Sequence, residues 1–420
     1  MLSNRYIKNV KDKLYDAFNP EVPINDMDPR YTDCTEVRKV TKILKQMTQQ
    51  IRLADRPTCQ LCCGHRGCGK TTELNRLMND LKTDEPPYFV VYCDTDKLLD
   101  LNHISSFEVL LAVICSVAKT AVTVNIQPLT DAFASFWKQY LGGLSNRVNI
   151  NNLAEQNSFV RSQVRRQISK TNGEIYLKAV NEIINFARHQ LQANGYADLV
   201  VVVDNLDRVP RMPIPGTNTN LQEELFITNV SHLTSLNCFM IYTLPPALIH
   251  SSHGFTLKIL YDTEPHLLPM VPVKTRAGKE YQPGVDKLMD VLGKRITYAE
   301  ATFKEVFDTK RTAEVLCKSS GGCIRLLMTL MQSALNIVED SPRIPGGALL
   351  DISKITAARY DSRICIAPDK KKHWKALREV RRTKQKVSME ECIELQDSLA
   401  ILSYYDEEVW WDVNPMVTKK

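Results

Sequence analysis

One stretch of the chain has residue types and a spacing that define a chemistry: Gly64-His65-Arg66-Gly67-Cys68-Gly69-Lys70-Thr71. It reads G-x-x-x-x-G-K-T, the phosphate-binding loop called Walker A. Its glycines let backbone N–H groups curl around phosphate oxygens with no Cβ in the way. Lys70 reaches the β- and γ-phosphates as a point charge, and the Thr71 hydroxyl is a ligand for Mg²⁺. The expected nucleotide-binding set is Gly64, His65, Arg66, Gly67, Cys68, Gly69, Lys70, Thr71 and Thr72, with ATP and Mg²⁺ as cofactors.

Such a loop works between a strand and a helix N-terminus. Upstream, Cys59-Gln60-Leu61-Cys62-Cys63 is a short apolar run of the kind a buried parallel strand needs. Downstream, 71–81 puts Leu74, Leu77, Met78 and Leu81 on one helical face. A second strand is expected over 88–93, which is rich in β-formers. Ser105 and Ser106 are placed to cap a helix through Val109, Leu110, Val113 and Val117. The segment 172–192 reads as a helix stopped by Gly195. Leu199-Val200-Val201-Val202-Val203 then runs into Asp204-Asn205-Leu206-Asp207-Arg208, the Walker B pattern of an apolar strand ending in an acid. Asp204 is expected to hold Mg²⁺ through water at the carboxyl edge, where open α/β sheets bind ligands. A further buried strand, 238–242, ends at Thr243. Two roles stay open for that hydroxyl: aimed at the γ-phosphate or attacking water, or bonded to local backbone.

The remaining segments frame this core. Pro20, Pro23 and Pro29 extend the chain before a helix over 35–52, striped by Val40, Ile43, Leu44, Met47 and Ile51. Residues 128–170 read as an insertion, aromatic at Phe133, Phe136, Trp137 and Tyr140 and basic at Arg147, Arg161, Arg165, Arg166 and Lys170. It is either a solvated helix pair or a contact surface for a partner subunit or nucleic acid. The loop 210–220 is rich in Pro, Gly and Asn and is expected to be mobile. A helix over 222–233 follows. The run 267–273 suggests an edge strand because of its prolines. Helices are expected over 284–295 and 323–338, the latter opened by Ser319-Ser320-Gly321-Gly322 with Arg325 in its first turn. Helices over 348–363 and 388–402 and an aromatic hairpin over 404–411 outline a small winged-helix module. Between those helices, 370–386 carries nine Lys/Arg against one Glu. The resulting scheme is an N-terminal extension and helix (1–55), a core (56–275) with the insertion at about 128–170, a helical lid (276–345) and a winged-helix-like C-terminal domain (346–420).

A chain of 420 residues holds about two to three domains. With 44% hydrophobic and 24% charged residues it is globular in composition, which excludes fibrous and disordered classes. It has no apolar run of about 18 residues, so no membrane span is expected. Met1-Leu2-Ser3-Asn4-Arg5 lacks the apolar core of a signal peptide. The expected compartment is the cytoplasm. Several of the twelve cysteines lie inside apolar runs: Cys59, Cys62, Cys63, Cys93, Cys115 and Cys238. Residues i and i+3 of a strand face opposite ways, so Cys59 and Cys62 chelate poorly. Buried reduced thiols are the expectation.

Three separated segments, the stretch GHRGCGKTTEL from Gly64, the pair Asp204-x-x-Asp207, and Ser320-Gly321-Gly322-x-x-Arg325, together resemble AAA+ and STAND-type P-loop ATPases. The last is similar to the sensor 2 motif of origin-recognition AAA+ proteins. Trp410-Trp411-Asp412-Val413-Asn414-Pro415 looks like the winged-helix end of bacterial STAND-like ATPases. The resemblance implies an α/β P-loop sheet with a helical lid and a C-terminal winged-helix-like module. It further implies that Arg325 touches the γ-phosphate from the lid. The implied activity is ATP binding with Mg²⁺-dependent hydrolysis, used as a nucleotide-driven switch or assembly subunit. In bacteria such ATPases serve antiviral defence or signalling, as homo-oligomers or with a separate effector protein.

One residue departs from the pattern. Many AAA+ ATPases have Glu after the Walker B Asp, and here it is Asn205. Asp207 is then the expected base, acting with Lys70 and Thr243, and turnover is expected to be slow. Arg208, Arg295 and Arg166 are candidates for an arginine finger, none with a motif behind it. Two alternatives stand beside this reading. One is a DNA-associated AAA+ ATPase, a loader or transposition-targeting subunit, touching phosphates through Lys370, Lys371, Lys372, Arg381 and Arg382. The other, resting on Asn205, is a nucleotide-locked scaffold without turnover.

Overall fold

The computed structural model describes residues 4–141, 173–338, 343–348, 351, 356, 370–385 and 389–417. In chain order its main elements begin with helices α1 (Asn4–Ala17) and α2 (Thr41–Leu53) and strand β1 (Cys59–Cys63). Next come α3 (Lys70–Lys82), β2 (Phe89–Asp94), α4 (Ser106–Thr123), α5 (Gln127–Leu141) and α6 (Gly173–Ala193). Strands β3 (Leu199–Asp204), β4 (Phe239–Leu244) and β5 (His266–Leu267) follow, then helices α7 (Gln282–Tyr298), α8 (Lys310–Ser319) and α9 (Ile324–Ile337). The last four are α10 (Lys370–Thr383), α11 (Met389–Asp397), β6 (Ile401–Asp406) and β7 (Glu408–Val413). The chain forms two compact units. One comprises Lys45–Cys63 and Leu77–His266, the other Met1–Leu44, Gly64–Arg76 and Leu267–Lys420.

The first unit is a parallel α/β layer. The sheet order is β2-β3-β4-β1-β5. Strands β1 and β4, β2 and β3, and β3 and β4 pair in parallel. All six residues of β3 and of β4 are buried, as expected of parallel strands covered on both faces. Each fully buried valine of β3 contributes about 1.5–3 kcal/mol by leaving water. The helix α4 starts at a capping box: the Ser105 hydroxyl accepts the Glu108 N–H, and the Glu108 carboxylate accepts the Ser105 N–H. It packs on β2 and β3, and by length and composition it could cross a membrane. Here 67% of it is buried within the protein. Helix α6 also lies on β3, and Arg188 grips Asp198 with two hydrogen bonds of 2.6 and 2.5 Å just before that strand. The aspartate thereby fixes where β3 begins.

The second unit is helical with one antiparallel ribbon. Helix α7 packs on α8, α8 on α9, and α1 against both α7 and α9. Strands β6 and β7 form a hairpin that turns at Glu407, whose φ is 65°. Tyr404 stacks on Trp410 with ring centroids 4.5 Å apart. Helix α10 packs on β7 and on α11, so two helices and a hairpin gather at the C-terminal end, but α10 occupies the basic run 370–386 and not the 348–363 segment where the first helix of the module was expected.

Several boundaries differ from the sequence expectation. The helix expected from 35 begins at Thr41, because 35–39 form turns and Lys39 takes a φ of 57°. The strand expected over 267–273 shrinks to β5, since Pro269 and Pro272 cannot donate to a ladder. The helix expected over 222–233 is broken: Leu221–Glu223, a wider turn over Glu224–Thr228, then Val230–Thr234. Helix α11 stops at Asp397 and the hairpin starts at Ile401, earlier than 404. Helix α1 has no counterpart in the sequence reading. The expected insertion at about 128–170 lies outside the described residues beyond α5, as do most residues of the helix expected over 348–363. Cys62, Cys63, Cys93, Cys115 and Cys238 are buried, and burial raises the Cys93, Cys115 and Cys238 thiols well above their ordinary range.

Candidate nucleotide site

The phosphate loop belongs to the helical unit. Gly67 and Gly69 have φ of 84° and 101°, values that L side chains rarely adopt. A Cβ on Gly67 would stand 2.4 Å from the Arg325 Cβ, and one on Gly64 would stand 2.5 Å from the Leu268 carbonyl. These two glycines are therefore required by close approach. The Cys68 N–H donates to His65 O at 3.1 Å and closes the loop. Lys70 is buried, and its ammonium donates to Gly64 O at 2.6 Å and His65 O at 3.2 Å. Thr71 and Thr72 are half-buried at the start of α3, and Arg66 is exposed. Cys68 faces inward, fully buried.

One side chain and one backbone carbonyl of the loop have roles that sequence did not disclose. His65 is buried, and its Nε2 accepts the backbone N–H of Ser403 at 3.0 Å. The Cys68 carbonyl accepts from Arg38 Nη2 at 2.6 Å. Arg38 is buried, close enough to Glu73 on α3 to oppose its desolvation. Burial pushes the Glu73 carboxyl up, against the pull of Arg38 and Arg76. Arg76 in turn pairs with Asp33 at 2.9 Å. No motif marks Arg38. Its only sequence signal is a cation among the apolar positions of the expected 35–52 helix.

Arg325 reaches the loop through its backbone as well as its side chain. Its N–H donates to Gly67 O at 3.1 Å, and Nη1 pairs with Glu21 Oε1 at 2.9 Å. The residues before it explain the Ser-Gly-Gly run. Gly321 and Gly322 have φ of 58° and 81°. A Cβ on Gly322 would lie 1.7 Å from Val271 O, and one on Gly321 would meet Leu402 and Pro415 at 2.7 and 2.8 Å. Tyr404 Oη donates to Gly321 O at 2.8 Å. The motif thus packs the start of α9 against both the 268–273 segment and the hairpin.

The acidic edge belongs to the α/β unit. Asp204 is buried at the end of β3. Its Oδ2 accepts from Tyr92 Oη at 3.0 Å, its Oδ1 from the Asn205 N–H at 2.7 Å, and its carbonyl from the Thr95 hydroxyl at 2.6 Å. Burial raises the Tyr92 phenol, helped by the Asp204 carboxylate, so Tyr92 stays a donor. Asp94 ends β2 in register with Asp204, and its Oδ1 accepts from the Asn205 amide at 2.7 Å. Asn205 holds a φ of 69° to make that bond. Asp207 is half-buried on the single turn Leu206–Arg208. The Thr243 hydroxyl accepts the Leu206 N–H at 3.1 Å and donates to Val203 O at 3.4 Å, so local backbone engages it. Tyr92 and Asp94 were not singled out in the sequence, although the end of a strand beside Walker B is where such partners must lie.

The finger candidates are also placed. Arg208 pairs with Asp96 at 2.5 Å. Arg295 is buried, donates to Arg30 O at 3.1 Å, and burial lowers its guanidinium to about 10. Arg166 lies outside the described residues.

The chain is similar to the Aeropyrum pernix ORC2 protein, solved in ADPNP–ADP complexes, over 96% of this chain and 95% of that one. The two are 10% identical and the TM-score is 0.44. No protein-family model matches the sequence, and no curated protein does.

Proposed function

We propose that this chain binds ATP with Mg²⁺ and works as a slow nucleotide-driven switch or assembly subunit of the P-loop type. The observation that carries the reading is the loop itself. Two left-handed glycines, a lysine held at the loop carbonyls and a helix N-terminus starting at Lys70 form a cradle of the phosphate-loop kind, tight enough that a Cβ on Gly64 or Gly67 would collide with its neighbours. Loop amides and Lys70 would hold the β- and γ-phosphates, and Arg325 would meet the γ-phosphate from the start of α9. Thr71 and Asp204 would hold Mg²⁺, which supplies charge neutralisation to the phosphates. Asn205 carries no group that takes up a proton, so water activation falls to Asp207 in this reading. That accords with slow turnover, and with output passed to further copies of the chain or to a separate effector protein, as in antiviral defence. The test is binding of a fluorescent ATP analogue to the wild type and to Lys70→Ala. Removing the loop's cation should lower affinity at least about 100-fold, given the strength of charge-assisted bonds to phosphate. Equal affinity would overturn the reading.

A second reading, association with DNA, draws on the exposed basic residues of α10, Lys371, Lys372, Lys375 and Arg378. The next helix, α11, opposes it. Its charged residues are Glu390, Glu391, Glu394 and Asp397, with no Lys or Arg among them. An acidic helix before the hairpin repels phosphates.

A further inference from the structure

We propose that Glu21 competes with the γ-phosphate for Arg325 and thereby sets the preference of this site between ATP and ADP. The proposal rests on the nucleotide reading above and names a residue outside every motif used for it. Arg325 is anchored at the loop: its N–H is bonded to Gly67 O, and its Cβ occupies the space a Cβ on Gly67 would need. Any pivoting of the guanidinium is therefore confined to the bonds beyond Cβ, near the loop. It is turned onto the Glu21 carboxylate at 2.9 Å. Glu21 is not a wandering surface residue. It follows α1, which packs on α7 and α9, and its own N–H is bonded to Asn19 Oδ1 at 2.9 Å. The acid is delivered to Arg325 by a local turn.

Solvent access decides how strong the lock is. The Glu21 side chain is 64% exposed and that of Arg325 25% exposed. A pair this open shifts an equilibrium only a few-fold. A γ-phosphate carries more charge than a carboxylate and offers more acceptor oxygens to the guanidinium fork, so it displaces Glu21. ADP ends at the β-phosphate, which loop amides and Lys70 serve, and leaves the Glu21–Arg325 pair intact. The pair thus taxes ATP and not ADP, because a ligand shifts an equilibrium only by its differential affinity for the two states.

The experiment is titration of wild type, Glu21→Gln, Arg325→Ala and the double variant with ATP and with ADP, in Mg²⁺. Glu21→Gln should bind ATP roughly two- to fivefold tighter and leave ADP affinity unchanged. Arg325→Ala should weaken ATP selectively, and adding Glu21→Gln to it should change nothing further. A merely structural role for Glu21 would move both nucleotides together. An unchanged ATP-to-ADP ratio in Glu21→Gln, or an equal effect of that change with and without Arg325, overturns the proposal. ATP affinity indifferent to Arg325→Ala overturns it too. In each of these cases loss of binding in Lys70→Ala would leave the nucleotide reading standing, so the two failures are distinguishable.

Discussion

His65 Nε2 accepts the backbone N–H of Ser403 at 3.0 Å, and the Ser403 carbonyl accepts the Met270 N–H at 3.0 Å. A side chain inside the phosphate loop is thus the hydrogen-bond partner of the C-terminal hairpin. The side chain at the first variable position of G-x-x-x-x-G-K-T is turned into the protein. His65→Ala should leave that buried N–H unpaired and open a cavity, at a cost of about 2–4 kcal/mol. His65→Gln, which restores an acceptor, should recover part of the loss. Chemical denaturation measures both, and an unchanged midpoint in His65→Ala would show that the bond adds nothing to stability.

His266 should make stability depend on pH. It is buried on β5, its Nε2 has no hydrogen-bond partner among the described residues, and burial lowers its pKa to about 4, only partly opposed by Glu264. The unfolded chain, with its histidine at its ordinary 6.5, binds the proton more readily than the folded one. Stability from this group is therefore full above pH 6.5, falls as pH drops below it, and levels off near pH 4. The total change is at most about 3 kcal/mol. Denaturation midpoints at pH 5 and pH 7 should differ less in His266→Leu than in the wild type. An identical pH dependence would place the titrating group elsewhere.

The two Walker B acids should separate binding from turnover. Asp204 is fixed by Tyr92 and by the Asn205 N–H, and its proposed partner is Mg²⁺. Asp204→Asn should weaken Mg²⁺-dependent ATP binding. Asp207→Asn should leave binding within about twofold and slow hydrolysis by roughly 100-fold, the lower range for loss of a general base. Asp94→Asn is the discriminating control, since Asp94 stands in register with Asp204 and receives the Asn205 amide. Hydrolysis lost in Asp94→Asn and kept in Asp207→Asn would move the base to the neighbouring strand.

The sequence makes the sheet and the loop legible because both rest on local patterns. Five apolar residues ending in Asp204 can hardly be anything but a buried strand, and glycines at 64, 67 and 69 fit few other turns. What it hides depends on long-range placement. Glu21, Arg38 and Ser403 matter through partners far along the chain, and no spacing links them to 325, 68 or 65. Boundaries failed where one residue's backbone overrode periodicity. Lys39 in the left-handed region delays α2, and Pro269 and Pro272 cut β5 to two residues. The Ser-Gly-Gly run was legible as a helix start. Its glycines prove to be needed for the approach of Val271 and Pro415, which only the fold brings near.

The basic helix α10 should separate the switch from a DNA-binding ATPase. Its inner face is His373, Ala376, Leu377 and Val380, all buried, and His373 meets Glu394 of α11 at 3.0 Å. Lys371, Lys372, Lys375, Arg378, Arg381 and Arg382 are exposed. Arg381 donates to Val417 O at 3.1 Å, and Arg382 pairs with Glu379 at 2.6 Å. If the helix lined a nucleic-acid surface, log affinity for duplex DNA would fall linearly with log salt, by about 0.9 per neutralised phosphate. Replacing Arg381 and Arg382 with Ala would then flatten the slope by about two units, and Lys371 and Lys375 would do the same. The acidic α11 argues for the other outcome. Duplex DNA should bind weakly at physiological salt, and neither double substitution should change that. Tight, salt-sensitive binding that is lost in Lys371→Ala/Lys375→Ala would reverse the order of the two functional readings.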